Sequence, residues 1–351
     1  MRAVAKPING DMRRDLQPPT GNHQLIWNIL LSRYNLPLVA VADELGVFPS
    51  LASSPLSVDQ AAPRFGLNRD WTQILLGALA ALELVRLQDG RFHLTDTSRS
   101  FLLPDSPYYC GGTFQNFVKR DSDTEHLKRA MRSPDTDSDR YIVRDWKPGE
   151  YSLETAEAGA RALHGLSFAT AVGTARNGDF REVRRLIDIA GGAGTFCIAL
   201  ALRHPELHCT VAELPSVCQV AQRYIRQFGV EDQVDTTPLN MFFDEWPTGY
   251  DAVLLSNVLH DWAFEQRALL LRRAFEALPL GGRIYVNEML MSDTADGPMG
   301  PVLFNLNMRV GTMGKQFTAP ELRGALEAAG FTDVSVTNTY AYFSLTTAYK
   351  R

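Results

Sequence analysis

The sequence has few cysteines and no excess of basic residues. The four cysteines among 351 residues, at 110, 197, 209 and 218, have no paired spacing of the kind that metal ligands adopt. We therefore interpret them as reduced core thiols. Forty acidic residues against 35 basic ones leave a net charge of −5, which argues against nucleic acid as the main partner.

Long hydrophobic runs are also missing. The longest uncharged apolar stretches, such as residues 189–202, are shorter than the roughly 20 residues that a bilayer-spanning helix requires. Residues 1–20 mix charges with proline and glycine and contain no apolar segment typical of a secretory signal. We therefore expect no membrane partner and a cytoplasmic location.

The composition is that of a folded protein. Hydrophobic residues make up 45% of the chain and charged residues 21%, which excludes a disordered or collagen-like protein. The length predicts about two domains.

The N-terminal part combines helices with a short hairpin. Residues 57–60 (Ser-Val-Asp-Gln) have the spacing of a helix-capping box, and a second helix follows. Alternating runs at 85–88 and 91–94 flank Asp89-Gly90, a strong turn signal. This order is typical of a winged helix, which in many proteins binds DNA. Because its second helix has few basic residues, we favour a role in dimerisation or substrate enclosure over DNA-binding regulation.

From residue 181 onward, short apolar strands alternate with helical patterns. The strands are at 186–190, 209–214, 252–256 and 283–288. This alternation predicts a parallel sheet covered by helices on both faces. Two β-rich runs, 334–339 and 342–349, predict an antiparallel hairpin that completes the edge of the sheet.

A glycine-rich turn follows the first of these strands. The segment 186–195 reads as a strand, a turn and the start of a helix, an arrangement that lets a ligand approach free backbone amides. Counted from Gly192, the third glycine of a dinucleotide fingerprint is replaced by Cys197, which weakens the case for NAD. Glu213, at the end of the second strand, is placed to bind ribose hydroxyls.

With these residues in place, the chain resembles the S-adenosylmethionine-dependent small-molecule O-methyltransferases of the caffeic acid and hydroxyindole type, bacterial natural-product members included. The matching segments are 188–194, 213–215, 240–242, 257–262, 279–288 and 328–331. The resemblance implies a Rossmann-like class I α/β methyltransferase sheet, an N-terminal α-helical winged-helix dimerisation domain, and S-adenosylmethionine as the cofactor.

It also implies a division of the chain. We expect a flexible arm at 1–20, a winged-helix dimerisation domain at 21–108, a helical connection with acceptor-pocket residues at 109–180, and a cofactor-binding domain at 181–351. The resemblance further implies a homodimer through the N-terminal domain, with Trp27 and Tyr34 as possible contacts, and a small-molecule acceptor.

The cofactor residues are carried over from the matching motifs. Gly191, Gly192 and Gly194 face the methionine part of the cofactor, and Glu213 holds its ribose. Asn240 and Met241 flank its adenine. The full set is Gly191, Gly192, Gly194, Glu213, Leu214, Asn240, Met241 and Ser256. Family members commonly have Asp in place of Asn240, and many plant members have Lys in place of Ser256; both changes alter charge and keep hydrogen-bonding capacity.

The resemblance assigns the base that removes the acceptor's proton to His260. Glu288 matches the first of two acids that flank this histidine, whereas Gln316 stands where the family commonly has the second. Losing that charge leaves His260 less basic, which favours phenols and enols over aliphatic alcohols. O-methylation is the first interpretation; transfer to carbon or nitrogen, and a cyclase or pericyclase that binds the cofactor without methylating, are the alternatives.

The acceptor pocket is expected to use the helical connection and the insertion after Glu288. The residues are Phe114, Phe117, Leu163, Ser167, Asn307 and Met308, although ordinary core packing explains each of them separately. Aromatic and Met side chains suit a flat apolar acceptor. A metal site built on His260 and Asp261 has only Asp293 and Asp296 nearby in sequence, so we expect no metal.

Overall fold

The computed structural model describes residue 32 and residues 35–118, 151–293, 298, 300–301, 304–305, 308 and 312–351. Of the residues singled out above, Trp27, Tyr34, Asp296 and Asn307 lie outside this set, as does the predicted arm at 1–20. The chain forms two compact units. The first ends at Thr95 and the second begins at Asp96, before the predicted boundary at residue 108.

Among its described residues, the first unit contains four helices and a hairpin. They are α1 (Asn35–Glu44), α2 (Val47–Ser53), α3 (Val58–Phe65), α4 (Arg69–Ala81), β1 (Val85–Gln88) and β2 (Arg91–Leu94). The predicted capping box is present, because the Ser57 side chain accepts from the Gln60 amide and the Gln60 side chain accepts in return. β1 and β2 pair antiparallel, and Asp89 and Gly90 have φ values of 50° and 72°, as a type I′ turn requires.

The second unit holds the large sheet. Its helices are α5 (Asp96–Phe101), α6 (Gly111–Val118), α7 (Leu153–Asn177), α8 (Thr195–Arg203), α9 (Pro215–Phe228), α10 (Phe264–Ala277) and α11 (Ala319–Ala328). Its strands are β3 (Arg185–Ile189), β4 (His208–Glu213), β5 (Val234–Pro238), β6 (Ala252–Ser256), β7 (Arg283–Met291), β8 (Phe317–Thr318), β9 (Thr332–Tyr340) and β10 (Phe343–Tyr349).

The strand order is β5-β4-β3-β6-β7-β10-β9, and the short β8 pairs with the end of β7. The first five strands in this order, β5, β4, β3, β6 and β7, are parallel. β10 runs antiparallel to β7 and β9. The predicted α/β class and the final antiparallel hairpin are therefore confirmed. Since β3 has β4 on one side and β6 on the other, the chain reverses its direction of winding at β3, where open α/β sheets bind ligands.

Both faces of the sheet are buried. On one face α7, α8 and α9 cover an apolar cluster that includes Leu186, Leu254 and Tyr285. On the other face a second cluster includes Ile187 and Ile284. Such two-sided burial explains why β3 and β6 read as nearly continuous apolar runs in the sequence.

Within the described residues, no single helix is long and apolar enough to cross a membrane. Only α1 and α2, bent by 60° relative to each other, pass that test as a pair by length and composition.

Candidate active site

The turn after β3 is shaped for close approach to the backbone. Gly192 and Gly194 have φ values of 56° and 75°, which favour glycine. A Cβ at Gly191 would lie 2.7 Å from the Asp188 carboxylate, whereas one at Gly192 would meet nothing within 4 Å. The turn therefore offers an open backbone surface at the start of α8, where free amide groups accumulate.

Glu213, the last residue of β4, is buried beside this turn. Its Oε2 accepts a hydrogen bond from the Leu214 amide at 2.6 Å, and the side chain is only 7% exposed. Burial raises the pKa of Glu213 to about 7, while hydrogen bonds from the amides of Leu214 and Gly192 oppose that rise. Both oxygens of a carboxylate accept hydrogen bonds, so a ligand with two hydroxyl donors, such as a ribose, fits this buried group.

The remaining predicted cofactor residues stand at the same edge of the sheet. Asn240 follows β5, and its Oδ1 accepts from the Phe242 amide at 3.1 Å, a bond that does not use the donor capacity of its side-chain nitrogen. Met241 is buried, and its carbonyl accepts from Trp246 Nε1 at 2.9 Å. Ser256 is the last residue of β6 and pairs in register with Asn287 of β7. The sheet thus brings together residues far apart in sequence.

His260 lies in a single turn of 3₁₀ helix after β6 and is 4% exposed. Its Nδ1 is 2.6 Å from Glu288 Oε2; because a carboxylate only accepts, Nδ1 carries the proton. Asp261 Oδ1 lies 3.6 Å from the other ring nitrogen, Nε2, beyond hydrogen-bond distance. Nε2 can therefore receive a proton from an acceptor.

The electrostatics of this group favour the charged imidazole. Burial lowers the pKa of His260, but the charges of Glu288 and Asp261 and the hydrogen bond to Glu288 outweigh it and raise the pKa to about 9. Burial also raises the pKa of Asp261 to about 6, against the attraction of His260. Glu288 was the only charged partner of His260 expected from the sequence. Asp261 is a second carboxylate that raises the pKa of this histidine.

Gln316 reaches the same ring, as the resemblance implies. Its Nε2 is 3.4 Å from His260 Nδ1, and its Oε1 has no hydrogen-bond partner among the described residues. Since Glu288 already accepts the only proton on Nδ1, an amide nitrogen there has no acceptor. With the amide rotated by 180°, its oxygen would lie at the same nitrogen as a second and longer acceptor beside Glu288; the hydrogen bond from the imidazole to Gln316 stays a prediction.

Strand pairing explains how Gln316 arrives there. β7 is longer than predicted, so Glu288 lies inside the strand, and β8 pairs Phe317 with Leu290. Gln316, which directly precedes β8, is thereby placed beside Glu288. A Cβ at Gly314 would lie 1.9 Å from the His260 carbonyl oxygen, so only glycine allows this segment to pack so closely.

Sequence reasoning missed two residues of this group. Asn305 Oδ1 accepts from the Gln316 backbone amide at 2.9 Å, and the Phe304 ring contacts the His260 ring edge-on at 5.5 Å. Both precede the predicted Asn307-Met308 pair by a few residues. Both have helical backbone, and no periodic signal marks them because the contacts depend on how this segment packs against residues far along the chain.

The predicted acceptor residues are only partly enclosed. Leu163 is 62% exposed and Phe117 is 40% exposed, whereas Met308 is buried. Phe114 and Ser167 are half-buried. The described residues therefore do not seal Leu163 or Phe117 in a core, contrary to the core-packing alternative.

A second buried histidine, also missed, lies next to the glycine-rich turn. His164 of α7 makes a 2.9 Å hydrogen bond through Nδ1 to the hydroxyl of Thr195, the first residue of α8. Its ring packs against Phe168 and Tyr224. Burial lowers the pKa of His164 to about 4, so this imidazole is neutral at physiological pH and serves to fix α7 against the turn.

Metal ligands are not grouped in the described part of the chain: no three His, Cys, Asp or Glu side chains there are arranged to hold an ion.

The pKa of His260 leads to a pH-dependence prediction. The base must be neutral to accept a proton, so we expect kcat/KM for a phenolic acceptor to rise with pH, with a midpoint near pH 9 and a plateau above it. In Glu288→Gln the carboxylate that raises the pKa is gone, so the midpoint moves to lower pH, toward the ordinary value of about 6.5. The measurement is the pH profile of kcat/KM.

The matched control is Glu182→Gln, which removes an 83% exposed carboxylate paired with Arg283 at the start of the same strand. In Glu182→Gln we expect the midpoint of the kcat/KM profile to equal that of the unmodified protein. An unchanged midpoint in Glu288→Gln would contradict the assignment of Glu288 as the partner that makes His260 basic.

Known proteins resemble this chain in sequence and in fold. The sequence pattern of the O-methyltransferase domain matches residues 157–332. A 3-hydroxy-5-methyl-1-naphthoate 3-O-methyltransferase of Streptomyces sahachiroi is 34% identical over 88% of this chain and 90% of its own. An L-tyrosine C(3)-methyltransferase of Streptomyces lavendulae is 27% identical over 80% of both chains. The crystal structure of human N-acetylserotonin methyltransferase in complex with SAM has a TM-score of 0.79 and 26% identity, covering 95% of this chain and 99% of that one.

Proposed function

The chain belongs to the S-adenosylmethionine-dependent O-methyltransferase family, and from this membership we propose that it methylates a hydroxyl of an aromatic or polyketide-like small molecule with His260 as the general base. The observation that carries the proposal is the buried pair of His260 and Glu288, 2.6 Å apart at the carboxyl edge of the sheet.

The residues at the glycine-rich turn fit the cofactor. Gly191 and Gly192 form the surface for its methionine part, Glu213 accepts from the ribose hydroxyls, and Asn240 and Met241 flank the adenine. When bound, the cofactor supplies a methyl group on a positively charged sulfur. The protein then has two tasks: it must orient the acceptor hydroxyl toward that methyl, and it must remove the hydroxyl proton.

The basicity of His260 determines how acidic the acceptor hydroxyl must be for proton transfer. A phenol has a pKa of about 10, close to the value of about 9 for His260, so proton transfer from a phenol to the neutral imidazole is nearly balanced. Aliphatic alcohols are far weaker acids, which makes the same transfer prohibitive. Glu288 stabilises the imidazolium that results. The site therefore favours phenols and enols.

The direct test is incubation of the purified protein with methyl-labelled S-adenosylmethionine and a set of phenols, hydroxynaphthoates and enolisable acids, followed by NMR of the product methyl. We expect the label on oxygen. Cofactor binding measured by calorimetry accompanies the assay. Binding without any labelled product across the set would contradict the proposed acceptor class.

A second candidate is transfer to carbon, which a relative that methylates C(3) of L-tyrosine favours. Removal of a phenolic proton by His260 places negative charge on the ring carbons as well as on oxygen. The orientation of the acceptor then decides which atom reacts. The label on carbon in the same NMR experiment would replace O-methylation by this candidate.

Gln316→Glu tests the position that departs from the family. We expect the variant to fold, since the side chains have nearly the same shape, and to shift the kcat/KM midpoint to higher pH because a third carboxylate stabilises the imidazolium. Thermal unfolding and the pH profile measure the two effects. A midpoint that stays in place or falls would show that position 316 does not act on His260.

The assembly and location of the enzyme are part of the proposal. We infer a homodimer through residues 21–108, with that region as a winged helix, and a cytoplasmic reaction; the family resemblance supports these. A monomeric mass by light scattering at micromolar concentration would contradict the dimer.

A further inference from the structure

An uncommon polar cluster lies inside the sheet, between the candidate cofactor site and α7. The Asn287 side chain of β7 is fully buried. Its Nδ2 donates to Ser256 Oγ at 3.2 Å, and its Oδ1 accepts from Thr174 Oγ1 at 3.1 Å. Thr174 is fully buried too. The amide thus joins the end of β6 to α7 through the centre of the fold.

An apolar residue would suit this position in the strand. The register partner of Asn287 on β10 is Leu345, and the surrounding cluster is apolar. A buried amide is costly unless it is hydrogen-bonded, and bonds of this kind contribute little net stability over an apolar replacement. Stability alone therefore gives no reason for an amide at position 287.

The reason lies in the hydroxyl of Ser256. A serine hydroxyl has one proton and two lone pairs. Because Asn287 donates to one lone pair, the proton of Ser256 is directed away from Asn287. Ser256 is half-buried and ends its strand beside β3, two residues beyond the last register pair, Asp188 with Leu254. Its proton is therefore free to point toward the edge where the glycine-rich turn begins.

We propose that Asn287 is a positioning residue that holds the Ser256 hydroxyl as a hydrogen-bond donor toward the bound cofactor. The inference rests on the proposed function, since it requires the cofactor at this edge. Asn287 itself touches no cofactor atom and acts through Ser256. In the reverse arrangement, with Ser256 donating to Asn287, loss of the amide would free the hydroxyl and leave binding equal or tighter.

The test is a double-mutant cycle read as the Kd of S-adenosylmethionine by calorimetry. Asn287→Leu and Ser256→Ala each weaken binding about fivefold, the size of one net hydrogen bond, and the double variant is no weaker than either single variant. Thermal unfolding of each protein separates this effect from stability. If Asn287→Leu does not fold, Asn287→Val, with a side chain suited to strands, replaces it.

Thr346→Val is the matched control. Thr346 is buried on the opposite face of the sheet, and its hydroxyl has no partner within the described chain; we expect an unchanged Kd. Unchanged or tighter binding in Asn287→Leu, or losses that add in the double variant, overturns the role of Asn287 alone. Absence of binding by the unmodified protein overturns the proposed function, and this inference with it.

Discussion

Replacing His260 by alanine lowers turnover by about 10²-fold or more while the Kd of S-adenosylmethionine stays within about a factor of two. A positioned general base contributes a factor of roughly 10² to 10⁴ to a rate. The alanine variant has no imidazole at the position where His260 Nε2 would accept the proton. Cofactor affinity is preserved because the residues proposed to bind the cofactor belong to the turn after β3 and to the ends of β4, β5 and β6. Steady-state kinetics and calorimetry measure the two quantities.

Loss of the imidazole also leaves Glu288 buried without its partner, so stability must be followed in parallel. His260→Gln fills more of the space and keeps a polar group near Glu288, and it shows the same loss of turnover. His208→Ala is the control, because His208 is exposed at the start of β4. Turnover within tenfold of the unmodified protein in both His260 variants would remove the histidine from its assigned role.

Glu213→Ala has the largest expected effect on cofactor binding. In the proposed complex the cofactor ribose makes two hydrogen bonds to this carboxylate, and bonds to a charged group contribute about 1.5–3 kcal/mol each. Their loss raises the Kd by about 10²-fold or more. Since burial raises the pKa of Glu213 to about 7, the assay is made at pH 8, where the unmodified carboxylate is ionised.

The stability of the Glu213 variant without cofactor should change little. The folded pKa of Glu213 lies above the ordinary value near 4.3, so the buried charge costs stability as pH rises from that value through about 7. Alanine removes that cost but also the acceptor of the Leu214 and Gly192 amides, and the two effects oppose each other. Glu206→Ala, which truncates an 81% exposed glutamate just before the same strand, is the control. An unchanged Kd in Glu213→Ala would exclude the ribose contact.

The fold was largely predictable because its central strands are recognisable in the sequence as short apolar runs. β3 and β6 are short apolar runs, and each is followed by a turn that leads to polar residues at one edge of the sheet. The glycine-rich turn and Glu213 could be placed from this pattern alone. His260 and Glu288 also end up where the ends of strands predicted them, although β7 continues past Glu288 to Met291.

The parts that escaped prediction depend on contacts between distant segments. Gln316 is 56 residues from His260, and only the family resemblance placed the two together. Asn305 and Phe304, which have helical backbone, contact Gln316 and His260, and the sequence does not show how this segment packs against those residues. Asn287 was hidden for a different reason: a single polar residue in an apolar strand gives no indication of whether it meets a partner on the helix above.

Asn287 and Glu288 are neighbours on one strand, and successive side chains of a strand point to opposite faces. Asn287 meets Thr174 on the α7 side, whereas Glu288 meets His260. If β7 slipped by one residue during folding, the carboxylate would enter the apolar α7 face and the amide would face the histidine. Such a chain would keep its secondary structure, but His260 would lack the carboxylate that raises its pKa. Pairing of β7 with β6, β10 and β8 therefore fixes more than the shape of the sheet, because it sets the register on which the basicity of His260 depends.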